Sequence, residues 1–134
     1  MSDRLKGINQ IVYINYWNHT VGKMTIKDNK LKIEYWPGFL KWVEIRNIDL
    51  LVPPGTYDRI PLEIKVRMKE PSCYMMKEFI RKNNITYDNE FELLGKQGGL
   101  QIGSVYDFSL KDFTRHDRYE WVVKEYLENG GTLI

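Results

Sequence analysis

The feature that most constrains the fold is a run of alternating side chains at residues 21–36, VGKMTIKDNKLKIEYW. Apolar and polar residues alternate on both sides of Asp28 and Asn29. Because successive side chains of a strand point to opposite faces, this pattern predicts a β-hairpin with one buried face. Its apolar members are Met24, Ile26, Leu31, Ile33 and Tyr35, and its opposite face carries Lys27, Lys30, Lys32 and Glu34.

Other runs rich in β-branched and aromatic residues predict further strands. IVYINYW, from residue 11, predicts a strand before the hairpin, and FLKWVEIR and IDLLV predict one or two strands after it. IPLEIKVRMK, residues 60–69, alternates without a break, which points Leu62, Ile64, Val66 and Met68 to the core and Glu63, Lys65, Arg67 and Lys69 to water. FELLG and LQIGSVY flank the glycine-rich KQGG and predict a second hairpin.

Two segments have the signals of helices. PSCYMMKEFIRKNN, residues 71–84, offers Ser72 as an N-cap, and Thr114 stands three residues before Asp117, the spacing of a capping box. An apolar stripe that ends at Leu127 follows. The sequence therefore predicts one α+β domain over residues 1–134: an antiparallel, strongly curved sheet of about six strands with two helices packed on it.

Composition narrows the class of protein. The 43% of hydrophobic residues among 134 is typical of a folded domain, and Cys73 is the single cysteine, which excludes an intrachain disulfide and a cysteine metal cluster. The first residues, MSDRLKGINQ, lack the apolar run of a signal peptide, and no apolar stretch reaches membrane-spanning length. We therefore expect a cytoplasmic protein without membrane association, metal or other cofactor.

The absence of alanine, with abundant Ile, Lys, Asn and Tyr, suggests an A+T-rich genome such as that of a virus or mobile element.

Charge is unevenly distributed along the chain. The overall net charge is +2, but residues 1–85 hold 15 Lys and Arg against 9 Asp and Glu, whereas residues 86–134 hold 5 against 9. A basic, tryptophan-rich front half is typical of proteins that bind phosphate and stack on bases. The leading hypothesis is thus a non-enzymatic protein that binds single-stranded nucleic acid or a nucleotide-like anion.

That hypothesis assumes that the hairpin and the strand predicted at 60–69 belong to one sheet, so that their lysine faces form one surface. The expected phosphate contacts are Lys27, Lys30, Lys32, Lys65, Arg67 and Lys69. Trp36 and Trp42 are the expected stacking residues, with Trp17 and Tyr35 as further aromatic candidates.

A second hypothesis is enzymatic. Glu63 and Lys65 would share one side of a strand, and Asp49 lies fourteen residues before Glu63. Over roughly residues 46–84, this arrangement resembles the Asp, then Glu-x-Lys pattern of PD-(D/E)xK nucleases, a family that includes the archaeal Holliday-junction resolvases. The resemblance implies a Mg²⁺-dependent nuclease, in which the carboxylates hold the metal and the lysine activates the attacking water.

A third hypothesis is a small interaction protein, such as an inhibitor or an immunity protein. The acidic residues of the C-terminal half would then face a basic partner; they include Asp112, Asp117, Glu120, Glu125 and Glu128.

Exposed strand edges and many aromatic residues also favour a homodimer. His19 and His116 have no second histidine or cysteine at the spacing of metal ligands.

Overall fold

The computed structural model describes residues 5–17, 19–68, 73–99 and 104–114. The described strands are β1 (Gln10–Tyr16), β2 (His19–Lys27), β3 (Lys30–Tyr35), β4 (Gly55–Tyr57) and β5 (Tyr106–Ser109). The described helices are α1 (Pro37–Arg46), α2 (Leu62–Lys65), α3 (Tyr74–Asn83) and α4 (Glu90–Gln97). All five strands pair antiparallel in one open sheet of order β4-β3-β2-β1-β5. The predicted α+β class and antiparallel sheet are confirmed, with five strands and four helices in these ranges instead of about six and two.

The predicted hairpin is confirmed as β2 and β3. Asp28 and Asn29 form its two-residue turn with positive φ angles of 53° and 62°, and Lys27 faces Lys30 across it. Aspartate and asparagine tolerate this left-handed conformation, which matches the twist of the paired strands. The turn therefore fixes the register that sends the apolar side chains to one face and the lysines to the other.

An irregularity in the pairing of β1 with β2 shapes one end of the sheet. Ile14 faces Gly22, but Asn15 faces Thr20, so one residue of β2 bulges out between them. Gly22 is required beside this bulge, because a Cβ there would lie 2.3 Å from the backbone oxygen of Glu34. The bulge places Thr20 on the same face as Asn15.

One face of the sheet forms the core together with the helices. The inward residues of β1 to β3 pack against Phe39 of α1, Ile64 of α2 and Phe91 of α4, each of which is fully buried. The Phe39 ring lies 5.3 Å from Tyr16 and 6.4 Å from Tyr106, measured between ring centroids. The helical layer therefore covers one side of the sheet, which we call the inner face.

The strand predicted for FLKWVEIR is wrong, because this segment is α1. Pro37 is tolerated at the first position of the helix, where its missing N–H would have had no partner. Phe39 and Val43, four residues apart, both reach the core. Asn47 ends the helix in the left-handed conformation at φ 52°.

The strand predicted for FELLG is also wrong, because this segment belongs to α4. The Asn89 side chain caps the helix by accepting a hydrogen bond of 2.8 Å from the Glu92 backbone N–H. Phe91 and Leu94 face the core on one side of the helix. Gly98 ends the helix at φ 96°, and β5 begins only at Tyr106. The predicted second hairpin is therefore a helix followed by an edge strand.

The strand predicted over residues 60–69 is replaced by the short helix α2 at its centre. The Pro61 carbonyl accepts hydrogen bonds from the backbone N–H groups of Ile64 and Lys65. Ile64, Arg67 and Met68 are buried, and their spacing of three and four residues is the period of a helical turn and not of a strand. The IDLLV segment has no regular secondary structure, and the short strand β4 follows it.

The helix predicted over residues 71–84 is confirmed as α3, which begins after Cys73. The N-cap of α3 is Cys73 and not Ser72, so that part of the prediction is wrong. The helix predicted after Thr114 lies outside the described residues.

Tyr35 connects β3 to the segment that follows α1. Its hydroxyl donates a hydrogen bond of 2.7 Å to the Val52 carbonyl and accepts one of 3.2 Å from the Val52 N–H. Burial raises the pKa of Tyr35 to about 12, since the phenolate would lose its hydration. The side chain is 6% exposed, so this neutral pair of hydrogen bonds is part of the core.

We expect Tyr35→Phe to lower the free energy of unfolding by about 1 to 3 kcal/mol near pH 7, because both polar groups of Val52 lose their partner. Urea denaturation measures this loss. Above pH 10 the unfolded tyrosine ionises while the folded one stays neutral, so the free energy of unfolding of the native protein should fall as the pH rises towards 12. The difference between the native protein and Tyr35→Phe should shrink over the same window; a constant difference would contradict the assignment.

Candidate functional site

The outer face of the sheet, opposite the helices, carries the side chains that alternate with the buried ones. Its members are Ile11, Tyr13 and Asn15 of β1, Lys23, Thr25 and Lys27 of β2, Lys30, Lys32 and Glu34 of β3, and Asp107 and Ser109 of β5. Paired residues form rows across the strands, one of which is Glu34, Lys23, Tyr13 and Ser109. Lysines and an aromatic ring therefore lie side by side on one surface.

Two of the four lysines on the outer face are neutralised by ion pairs. The ammonium of Lys23 lies 3.9 Å from the Glu34 carboxylate, and Lys30 pairs with Asp58. The hydrogen bond from Lys30, and then its charge, lower the pKa of Asp58. Along the described chain, no ion pair involves Lys27 or Lys32. The outer face therefore keeps a local excess of positive charge that an anion can meet.

The other predicted contacts do not join this surface. Lys65 lies on α2 and Trp42 lies on α1, both in the helical layer on the opposite side of the sheet. The Arg46 guanidinium lies 5.2 Å from the centre of the Trp42 ring. The predicted continuous surface that joins the hairpin lysines to residues 60–69 is therefore wrong, because residues 62–65 form a helix that packs against the inner face.

Trp36 and Tyr35 are also held by the protein itself. The Trp36 indole donates a hydrogen bond of 2.9 Å to the Thr114 hydroxyl and is half-buried between β3 and α1. Tyr35 is buried in the core. Among the aromatic candidates, Trp17 at the end of β1 is the exposed one, at 62%. Stacking on the outer face would therefore involve Tyr13, which lies on that face.

Arg67 is a structural residue and not a surface contact. It is 6% exposed, and its guanidinium donates hydrogen bonds to the carbonyls of Gly99 and Tyr106, both 3.1 Å, and to the Ser104 hydroxyl at 2.8 Å. Desolvation lowers the pKa of Arg67, and the negative charge of Asp107 opposes that shift. The predicted exposed position of Arg67 is therefore wrong; the side chain holds the connection between α4 and β5. Lys69 lies outside the described residues.

Arg67→Lys should lower the free energy of unfolding by about 2 kcal/mol, because an ammonium group cannot reach all three oxygen acceptors at once. Lys65→Gln, two residues away and exposed on α2, is the matched control and should change stability by less than about 0.5 kcal/mol. Urea denaturation curves of both variants measure the difference. Equal stability of Arg67→Lys and the native protein would show that the buried hydrogen bonds are dispensable.

The residues of the nuclease hypothesis are not arranged for that chemistry. Glu63 and Lys65 are two residues apart on a helix, where their side chains diverge by about 200°, whereas the hypothesis needs them on one side of a strand. Asp49 lines a separate open cleft of about 1000 Å³ with Glu44 and the apolar residues of α1. In the described ranges, no three His, Cys, Asp or Glu side chains are grouped to hold a metal ion.

A pocket at the end of the outer face was missed by sequence reasoning. Its volume is about 310 Å³, and its lining residues are Asn15, Gly98, Asp107, Phe108, Ser109 and Phe113. The Asn15 amide donates hydrogen bonds to Asp107, 2.8 Å, and to Ser109, 3.0 Å, and accepts one of 2.7 Å from the Thr20 hydroxyl. Asn15 itself is 3% exposed. The sequence signal for this pocket was Asn15 within the apolar run IVYINYW, because an asparagine in a buried strand needs polar partners.

The hypothesis of an acidic interaction surface stays a prediction. Asp112 is exposed next to this pocket's Phe113. The other acidic residues proposed for that surface, from Asp117 to Glu128, lie outside the described ranges.

Comparison of the chain with protein-family models, curated proteins and solved structures gives no match. Within the ranges that the structure describes, no helix has the length and apolar character needed to cross a bilayer. The functional conclusion therefore depends on the geometry of the chain itself.

Proposed function

We propose that this protein binds single-stranded nucleic acid, without catalysing a reaction, on the outer face of its sheet. The observation that carries the proposal is the juxtaposition of Lys23, Lys27, Lys30 and Lys32 with Tyr13 on the sheet face opposite the one that packs against α1, α2 and α4. The site is thus smaller than the one predicted from the sequence, and it excludes Trp42, Lys65 and Arg67.

Electrostatic attraction would draw a phosphate backbone to the outer face. Lys30 and Lys32 lie on one side of β3, roughly 6.7 Å apart along the strand, and Lys27 faces Lys30 across the hairpin. Lys27 and Lys32 have no ion pair in the described ranges and can contact phosphates of one strand directly, whereas Lys30 would exchange the Asp58 carboxylate for a phosphate. Phosphate binding of this kind releases counterions and weakens as the salt concentration rises.

Aromatic stacking would add to the attraction of the lysines. Tyr13 is the cross-strand partner of both Lys23 and Ser109, and it is partly exposed. An unpaired base that lies over Tyr13 would keep its phosphate beside the lysines of β2 and β3. Stacking of a base on an aromatic ring contributes on the order of 1 to 3 kcal/mol and requires a single strand, because the bases of a duplex already stack on each other.

The proposal also places the protein in the cytoplasm, where a free thiol such as that of Cys73 persists in reduced form. A homodimer remains part of the proposal. The described edge strands β4 and β5 have three and four residues, so a dimer would need contacts beyond the pairing of strand edges.

The test is a fluorescence anisotropy titration of a labelled oligothymidine strand at several salt concentrations. Replacement of Lys27 and Lys32 together by glutamine should weaken binding several-fold and reduce the slope of log affinity against log salt by about 0.7 per lysine.

Lys65→Gln is the matched control, because Lys65 is also exposed but lies in the helical layer. It should leave both affinity and slope unchanged. Equal weakening by Lys65→Gln, or the absence of binding at low salt, would overturn the proposed surface.

A further inference from the structure

We infer that the pocket of about 310 Å³ at the end of the outer face recognises a guanine base, through the Asp107 carboxylate and the Phe113 ring. This inference rests on the proposed function, which it extends from strand binding to base preference. Ser109 belongs both to the pocket and to the Tyr13 row of the outer face. A strand that follows the lysines therefore reaches the pocket without leaving the surface.

The carboxylate of Asp107 is the acceptor that the pocket offers. Asn15 donates to one oxygen of this carboxylate at 2.8 Å, which fixes its orientation. Asn15 uses its remaining polar groups on Ser109 and Thr20, and Ser109 donates to the Lys111 carbonyl at 2.7 Å. In the part of the chain that the structure describes, the Asp107 carboxylate has no other hydrogen-bond donor and no ion pair. An ionised carboxylate accepts and never donates, so it selects a ligand with donors.

The Phe113 ring is the stacking surface of the pocket. It is 46% exposed, although its backbone is fixed: its N–H donates to the Thr20 hydroxyl at 2.7 Å, and its carbonyl accepts from the Thr20 N–H at 3.4 Å. The Lys111 ammonium lies 5.7 Å from the centre of the ring. A base that stacks on Phe113 would place its own phosphate near this ammonium.

Guanine is the base whose hydrogen-bonding edge fits an acceptor-only group. Its Watson–Crick edge presents two neighbouring donors, the ring N1–H and the exocyclic N2 amino group, which a carboxylate can accept together. Adenine and cytosine present one donor beside an acceptor nitrogen, and thymine and uracil present one N–H between two carbonyls. Each of these edges would bring an acceptor towards the Asp107 carboxylate, which is unfavourable. A volume of about 310 Å³ lies at the lower end of the range for small-molecule sites.

The test compares ligands that differ by one group. Labelled oligothymidine strands with a single central guanine, inosine or adenine are titrated against the full chain by fluorescence anisotropy. Inosine keeps the ring N1–H and lacks the N2 amino group, so the guanine strand should bind roughly tenfold more tightly than the inosine strand. The adenine strand should bind no better than the inosine strand.

Two variants locate the effect. Asp107→Asn keeps an oxygen for the Asn15 hydrogen bond but replaces half of the acceptor with a donor, and it should abolish the preference for guanine. Phe113→Ala should weaken the guanine strand on the order of tenfold through lost stacking. The preference of the native protein for guanine over inosine stays decisive even if a variant fails to fold.

Competition by guanosine monophosphate, with inosine monophosphate as control, separates a base in a strand from a free nucleotide. Binding of guanosine monophosphate without binding of any strand would support the pocket and overturn the proposed strand-binding function. Equal binding of all three strands would leave strand binding intact and overturn the guanine assignment. The absence of binding by every strand and by both nucleotides would overturn both.

Discussion

The strict alternation of β2 and β3 on either side of a two-residue turn is the constraint on which the structure depends. With Asp28 and Asn29 in the left-handed conformation, the register sends every apolar side chain of the hairpin to one face and every lysine to the other. A shift of β2 by one residue would bury Lys23 and Lys27 and expose Met24 and Ile26. Helices α1, α2 and α4 cover the apolar face, so the charged face is the one that remains for a ligand.

The layer of the fold in which a cation lies decides which positive charges can act together. Lys65 and the hairpin lysines have the same chemistry, but they lie on opposite layers of the fold. Arg67, the most donor-rich cation of this segment, is used inside the protein to satisfy the carbonyls of Gly99 and Tyr106. A count of positive charge along the front half therefore overestimates the charge available on any one surface.

The sequence allowed the prediction of those elements in which side-chain periodicity and turn chemistry agree, namely β1, the hairpin and α3. The sequence led to wrong strand predictions for α1 and α4, because their short apolar runs fit a strand as well as a helix. The deciding signals were Pro37 at a helix start, and Asn89 with Glu92 and Gly98 around α4. Unbroken alternation at 60–69 was misleading because Ile64, Arg67 and Met68 also have the spacing of one helical turn.

The candidate site, like the fold, was predicted from the sequence only in part. The outward positions of Lys27, Lys30 and Lys32 followed from the hairpin pattern, whereas the burial of Arg67 depends on acceptors 32 and 39 residues away in sequence. The pocket around Asp107 joins residues of β1 and β5 that are 92 positions apart. Contacts of such separation are set by the pairing of β1 with β5, which no local pattern reveals.

The central claim is that the lysine-bearing outer face, and not the helical layer, receives the nucleic acid. Amide chemical shifts recorded during titration with an oligothymidine strand test it most directly. We expect shifts for Tyr13, Lys23 and Lys32, and none for Lys41 of α1 or Lys65 of α2. Shifts confined to α1 and α2, with β1 to β3 unchanged, would contradict it.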